Sequence, residues 1–285
     1  MNKRILLTFD VEDWFQVENF KGYIPFSSWP DYELRVEKNT LKIIDILESF
    51  SFKPKATFFI LGWLAEKIPD LVKEISLKGH EVASHGFNHD LCTNLDKKRL
   101  MEDLVKSREI LESITKSKIY GYRAPSFAVD DDILCAVNEA GYKYDSSFNS
   151  FSMHKRYGRP DFSSAVLKGS AFEINSLFYE IPLSNISISS RVLPLGGGGY
   201  FRLFPFVFFK QGMKNVFRKN DAFVFYAHPW EFDPGQPRVE QASTGFKFRH
   251  YINLHKTEQK FISMIKAFHR YKFITVKSYL EEIMV

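Results

Sequence analysis

The chain has 285 residues, 45% hydrophobic and 16% aromatic, which is material for one large core or two small ones, and its 29 Phe and 13 Tyr exclude a disordered polypeptide. Its 39 basic residues are dispersed among 34 acidic ones, so the net charge of +5 is a mild excess that suits an anionic or membrane-proximal substrate and argues against a nucleic-acid partner. Two cysteines, Cys92 and Cys135, far apart and in no metal-type spacing, exclude a disulfide framework.

The apolar run near the start, in MNKRILLTFDVEDWF, is too short and too acidic for a signal h-region, and no stretch approaches the ~20 apolar residues of a membrane span. A soluble protein, in the cytoplasm or at the inner face of the membrane, is the expectation. Residues 4–9, RILLTF, read as a buried strand that ends on Asp10, Glu12 and Asp13. Three carboxylates closing a core strand need partners, because burying a charge without one is costly.

An amphipathic helix is expected from about Tyr32 to Phe50, then a strand in KATFFIL, then a helix through WLAEKIPDLVKEISLKG that stops at Gly79. HEVASH is a brief strand, and LDKKRLMEDLVKSREILESIT is a long helix with Asp96 as its N-cap. IYGYRAP, DDDILCAVNEAGY and KYDSS continue as strand, helix and strand. Strands separated by helices imply βαβ units and a parallel sheet or barrel over the first ~150 residues.

From about 150 to 222 the pattern changes to paired strands in FEINSLFYEIPLSNISIS, a glycine loop in PLGGGGYFRLFP and a helix in FPFVFFKQGMKNVFRK. We read this as an elaboration of one catalytic domain covering residues 1–285. DAFVFYAHPWEFDP gives a further strand with a polar end, and KTEQKFISMIKAFHRYKFITVKSYLEEIM reads as helix, strand, helix.

In a (β/α) barrel, catalytic groups gather at the C-terminal ends of the strands. The polar residues at those ends are Asp10, Glu12 and Asp13; His85 and His89; Arg123; Asp145; and His228 with Glu231. In SHGFNH, His85 and His89 stand four apart, so one turn can aim both imidazoles at a single ion. Two histidines and a carboxylate leave coordination positions open for water and substrate.

TFDVEDW, SHGFNH, YRAP, YDSS and FYAHPWE together resemble, in order and separation, the motifs of the polysaccharide deacetylase family, the NodB-homology or carbohydrate esterase family 4. The resemblance spans about residues 4–280, and LPLGGGGYFRLFP with HPWEFDP is similar to the branch found with exopolysaccharide and exosortase gene clusters. It implies an α/β fold, a distorted (β/α)7-type barrel, and removal of N-acetyl or O-acetyl groups from a sugar of a cell-surface polysaccharide or its lipid-linked precursor. One divalent ion is implied, zinc first, with cobalt, nickel or manganese also suited to the ligands.

By the same resemblance Asp10 is the general base, Arg123 the cation that orients it, His85 and His89 the metal histidines and His228 the general acid. Asp145 is implied to lie beside His228 and raise its pKa, and a backbone N–H such as that of Phe127 to stabilise the oxyanion. The first motif departs from the family's usual Asp-Asp, because Val11 takes the second place. In an extended strand positions 10 and 12 share a face, so Glu12 is the expected ligand, with Asp13 the alternative if the chain has already turned.

Trp14, Phe15, Tyr200 and Trp230 can stack on sugar rings or pack in the core. The loop 196–202 can act as a mobile lid or a phosphate cradle, with Arg202 placed to meet an anion. The competing readings are an allantoinase-like amidohydrolase on the same barrel and a non-catalytic sugar-binding barrel.

Overall fold

A computed structural model describes residues 3–151, 158–188 and 191–284. Side-chain alternation in the first strand, β1 (Arg4–Val11), sets the architecture. Ile5, Leu7, Phe9 and Val11 pack into a core shared with the flanking helices, whereas Leu6 joins a second, inner cluster. Thr8 and Asp10 follow Leu6 on the inner face, so the strand's polar atoms all point one way.

β1 is flanked in parallel by β2 (Ala56–Ile60) and by a late strand, Ala222–Ala227, and the parallel run continues through β3 (Glu81–Ser84), β4 (Gly121–Tyr122), β5 (Tyr144–Asp145) and the strand Phe178–Glu180. These seven parallel strands form the curled sheet of a distorted (β/α) barrel, open among the described residues. Helices α1 (Val36–Glu48), α2 (Gly62–Lys67), α3 (Pro69–Leu77), α4 (Lys97–Thr115) and α5 (Asp131–Glu139) make the crossovers.

Residues 166–180 extend the main sheet. Val166–Lys168 and Ala171–Asn175 form an antiparallel hairpin that leads into Phe178–Glu180, and Asn185–Ile188 pairs separately with Arg191–Pro194. Residues 152–157 and 189–190 of the expected elaboration lie outside the described residues. Helices α6 (Gly198–Leu203) and α7 (Phe206–Lys219) then lead into the late strand, which we label β11 because it is the eleventh in chain order. α8 (Thr244–Tyr251), which the sequence reading passed over, is followed by α9 (Leu254–Ala267) and α10 (Val276–Ile283), whose Val276, Tyr279 and Leu280 fill the inner cluster.

Several boundaries differ from expectation for local reasons. The helix expected over 63–79 breaks at Ile68, which stands before Pro69 with φ −133° and ψ 59°. α1 begins at Val36 rather than near Tyr32, because its first N–H groups are capped from outside the helix. Asp13 accepts from the N–H groups of Arg35 and Val36 at 2.6 and 2.8 Å and from Trp14 at 2.8 Å. Asp13→Ala is expected to cost about 1–2 kcal/mol in urea unfolding while leaving metal binding intact, and Asp13→Asn less, because the amide oxygen still accepts.

The glycine loop is not a mobile lid. Gly196, Gly197 and Gly198 are buried, and the Tyr226 N–H of β11 donates to the Gly196 carbonyl at 2.8 Å. Gly197 adopts φ 149°, and a Cβ there would lie 1.7 Å from the Tyr226 carbonyl oxygen. The glycines let the chain lie flat against β11.

Candidate active site

The strand ends deliver their polar side chains into one cavity of about 480 Å³, lined by Asp10, Glu12, His85, His89, His228 and Trp230 among others. Arg123, at the end of β4, is fully buried. It donates from Nη1 to Asp10 Oδ1 at 2.7 Å and to Thr8 Oγ1 at 2.8 Å, and from Nε and Nη2 to the carbonyl and hydroxyl of Ser146. Its guanidinium lies 4.1 Å from the centroid of the Phe59 ring. The guanidinium is thereby fixed and holds Asp10 Oδ1, while Oδ2 faces His228 Nε2 at 3.9 Å.

Glu12, His85 and His89 each offer a ligand atom, and these atoms lie within 4.8 Å of one another. β1 has ended at Val11, so the same-face argument does not hold in its extended-strand form. The Glu12 N–H turns back to the Asp10 carbonyl at 3.0 Å, and that tight turn keeps both carboxylates on the cavity side. The fit to a cation is visible in the atoms left over. Glu12 Oε2 is buried without a hydrogen-bond donor and stands 2.8 Å from His89 Nε2.

His85 Nδ1–H donates to the Arg123 carbonyl at 2.7 Å, which turns Nε2 toward the cluster. Burial holds His85 down to about 4, so it is a neutral imidazole at pH 7 and ready to ligate. His89 reaches the cluster from a left-handed backbone, φ 57°, a strained conformation of the kind that collects at functional sites. Asp13, the alternative ligand, is spent on the cap of α1.

His228 sits at the end of β11 with both ring nitrogens assigned by their partners. Glu231 Oε1 accepts from its Nδ1–H at 2.8 Å and from its backbone N–H at 3.0 Å, which leaves Nε2 toward Glu12 Oε1 at 3.3 Å. Burial opposes charge on this ring, but the Glu12, Glu231 and Asp10 carboxylates outweigh it and lift His228 to about 9. Burial likewise opposes ionisation of Glu231, yet Arg202 and His228 hold its carboxyl down to about 2.

Four expectations need correction. Asp145 is not beside His228: β5 lies four strands from β1, whereas β11 is its neighbour. Asp145 instead accepts from the Ser147 N–H and hydroxyl at 2.8 and 2.9 Å, and burial raises both it and the neighbouring Glu180, with Glu180 pushed well up. Glu231 holds the position expected of Asp145. Arg202 is buried and meets no external anion, because it donates to Glu231 Oε2 at 2.6 Å and to the carbonyls of Arg249, His250 and Ile252.

Trp230 has no free face for a sugar. Its ring stacks on His228 at 5.0 Å and on His250 at 4.1 Å, and its Nε1–H donates to Glu12 Oε1 at 3.3 Å. The Phe127 N–H donates to the Ala124 carbonyl at 2.9 Å, so the ring of Phe127 walls the cavity while its amide is engaged. Tyr200 is half-buried and lines the cavity. Trp14 and Phe15 are buried in the core.

His250 and Gln236 were invisible to a reading based on strand ends. Gln236 Nε2 donates to two carbonyls, of Trp230 and Asp233, so its Oε1 must accept from His250 Nε2–H at 2.7 Å. That bond orients the His250 ring on which Trp230 rests.

A curled α/β sheet whose strand ends bring Asp10 on Arg123, His228 on Glu231 and the cluster of Glu12, His85 and His89 into one cavity has the arrangement of a barrel hydrolase. The profile of the family described as polysaccharide deacetylase matches residues 2–144, and a second, described as a domain of unknown function, DUF3473, matches residues 146–281. The chain belongs to the polysaccharide deacetylase family. It is 32% identical over 116 residues to a peptidoglycan deacetylase-like protein of Gibberella zeae, covering 41% of this chain and 34% of that one.

It is also 30% identical over 104 residues to a peptidoglycan-N-acetylglucosamine deacetylase of Bacillus cereus, covering 36% and 47%. The matched stretch spans between a third and a half of the length of these curated relatives. A Mycobacterium smegmatis protein assigned to the polysaccharide deacetylases shares the fold with a TM-score of 0.61 at 17% identity, over 100% of this chain and 91% of that one. No helix among the described residues is long and apolar enough to cross a membrane.

Proposed function

We propose that this chain is a metal-dependent hydrolase that removes the N-acetyl group from a sugar of a cell-surface polysaccharide or of its precursor. The observation that carries the reading is the meeting of three sets of groups in one cavity: Asp10 on Arg123, Glu12 with His85 and His89, and His228 on Glu231. The relatives named for peptidoglycan deacetylation support the choice of an acetamido sugar. Both matched profiles form one catalytic unit in this reading, because β1 of the first pairs in register with β11 of the second.

A divalent ion held by Glu12, His85 and His89 would supply Lewis acidity to the acetyl carbonyl and lower the pKa of water toward neutrality. Zinc suits the two imidazoles and one carboxylate. Asp10, with Oδ1 pinned by Arg123, uses Oδ2 to take the proton from the attacking water. His228 gives its Nε2 proton to the departing amine, and Glu231 keeps the ring charged and oriented until it does. Water is consumed, the C–N bond breaks, and acetate and a free amine leave.

The test is acetate release from N-acetylglucosamine oligomers by the zinc-reconstituted protein, followed against pH. A bell-shaped profile is expected. His228 must be protonated to act as the acid, so activity falls as pH rises through its pKa; Glu231→Gln removes a carboxylate that raises that pKa and moves this alkaline limb to lower pH. No acetate release with any divalent ion would overturn the proposal.

A further inference from the structure

The cavity changes character along its length. Its inner end carries the carboxylates and imidazoles of the site, whereas its outer walls include Leu203 at the end of α6 and Phe248 on α8, which are 42% and 60% exposed. Val207 and Phe208, in the first turn of α7, add two more apolar side chains at 75% and 70% exposure. Single exposed apolar residues are ordinary, but Leu203 and Phe248 stand on the wall of one cavity, and Val207 and Phe208 follow Leu203 within five residues of chain, so the apolar surface is of the kind that marks a binding site.

The walls are preformed. Arg202 of α6 is buried and bonded to three carbonyls at the end of α8 and just beyond it, so the elements bearing Leu203 and Phe248 are locked together. Arg249 follows Phe248 on α8. It lines the cavity, is exposed, and has no ion-pair or hydrogen-bond partner for its guanidinium among the described residues. On another part of the wall Glu18 has Oε2 buried with no donor, a position that a sugar hydroxyl would satisfy.

We propose that the substrate is an amphipathic phosphate: an N-acetyl sugar joined through a phosphate to a hydrocarbon chain. The acetamido group lies at the inner end, the phosphate meets Arg249, and the chain lies over Leu203 and Phe248 toward Val207 and Phe208. This rests on the deacetylase reading of the same site and names its substrate class. A polymer continuing outward would present further hydroxyl-rich rings to Leu203 and Phe248, which offer hydrocarbon, and to Arg249, which offers a cation.

Three probes separate the contributions, used below their micelle concentrations with the zinc-loaded full chain: N-acetylglucosamine 1-phosphate as its dodecyl diester, the same compound as its methyl diester, and phosphate-free dodecyl N-acetylglucosaminide. KM for the dodecyl diester is expected to be at least about tenfold below that for the methyl diester, the effect of burying two methylenes. In the double variant Leu203→Ser, Phe248→Ser that ratio falls toward one. Leu167→Ser, at an exposed apolar residue on the sheet-edge hairpin, keeps it. Arg249→Gln raises KM for both diesters about tenfold relative to the phosphate-free probe.

Equal KM values for the two diesters, or a tail preference that survives the double substitution, overturn the tail assignment while leaving the deacetylase reading standing. An Arg249→Gln variant that treats all three probes like the parent overturns the phosphate assignment. If no probe yields acetate, the deacetylase reading fails, and calorimetric binding of the same probes still decides this proposal: a dodecyl-dependent affinity lost in the double variant upholds it, and its absence refutes it.

Discussion

Replacing His85 and His89 together with alanine is expected to abolish stoichiometric zinc and to lower acetate release by at least about 10³-fold, since a catalytic ion supplies several kcal/mol of charge stabilisation. Only Glu12 would remain of the ligand set, and one carboxylate does not hold a divalent ion against water. The protein should stay folded, because neither imidazole belongs to the two apolar clusters that hold the sheet to its helices and fill its interior. Metal analysis, circular dichroism and acetate assay on one preparation read all three consequences. Acetate release at the parent rate by this variant would remove the ion from the chemistry.

Arg123→Met is expected to cost about 3–5 kcal/mol of stability, the usual result of removing one partner from a fully buried ion pair. The methionine roughly fills the space over Phe59, but Asp10 loses its ion-pair partner and Thr8 and Ser146 lose the donor they share. Urea unfolding reads the loss. Asp10→Asn isolates the chemical contribution: its amide oxygen can still accept from Arg123, the three candidate ligands are untouched, and kcat should fall about 10²–10⁴-fold, the range for a positioned general base. An Arg123→Met protein of parental stability would show that this pair does not brace β1 against β4.

Much of this arrangement could be read from the chain before folding, and the reason is that strand ends are local signals. An apolar run that stops on Asp10, Ser84-His85, Tyr122-Arg123 or Ala227-His228 announces both the strand and the group it delivers. Lateral order announces nothing. KYDSS shows that Asp145 ends a strand but not that β5 lies far from β11 in the sheet, so the histidine's partner was sought on the wrong strand when Glu231 stood three residues away. The roles of Arg202, Trp230 and His250 were hidden for the same reason: each acts through contacts between α6, α8 and the segment after β11 that no local pattern encodes. The glycines misled differently. Four in a row read as freedom, whereas here Gly197 and Gly198 are a tight fit against Tyr226.

The pairing of β1 with β11 joins residues 4–9 to residues 222–227, and it is this seam that brings Asp10 next to His228. A chain interrupted anywhere between residues 124 and 227 would carry Asp10, Glu12, His85, His89 and Arg123, and still lack His228. Such a contact, with more than two hundred residues in the intervening loop, is among the slowest kinds to form, because the loop must close before the pairing repays it. Synthesis therefore has to pass residue 228 before the site exists, so a nascent chain would be chemically silent until its two distant edges met.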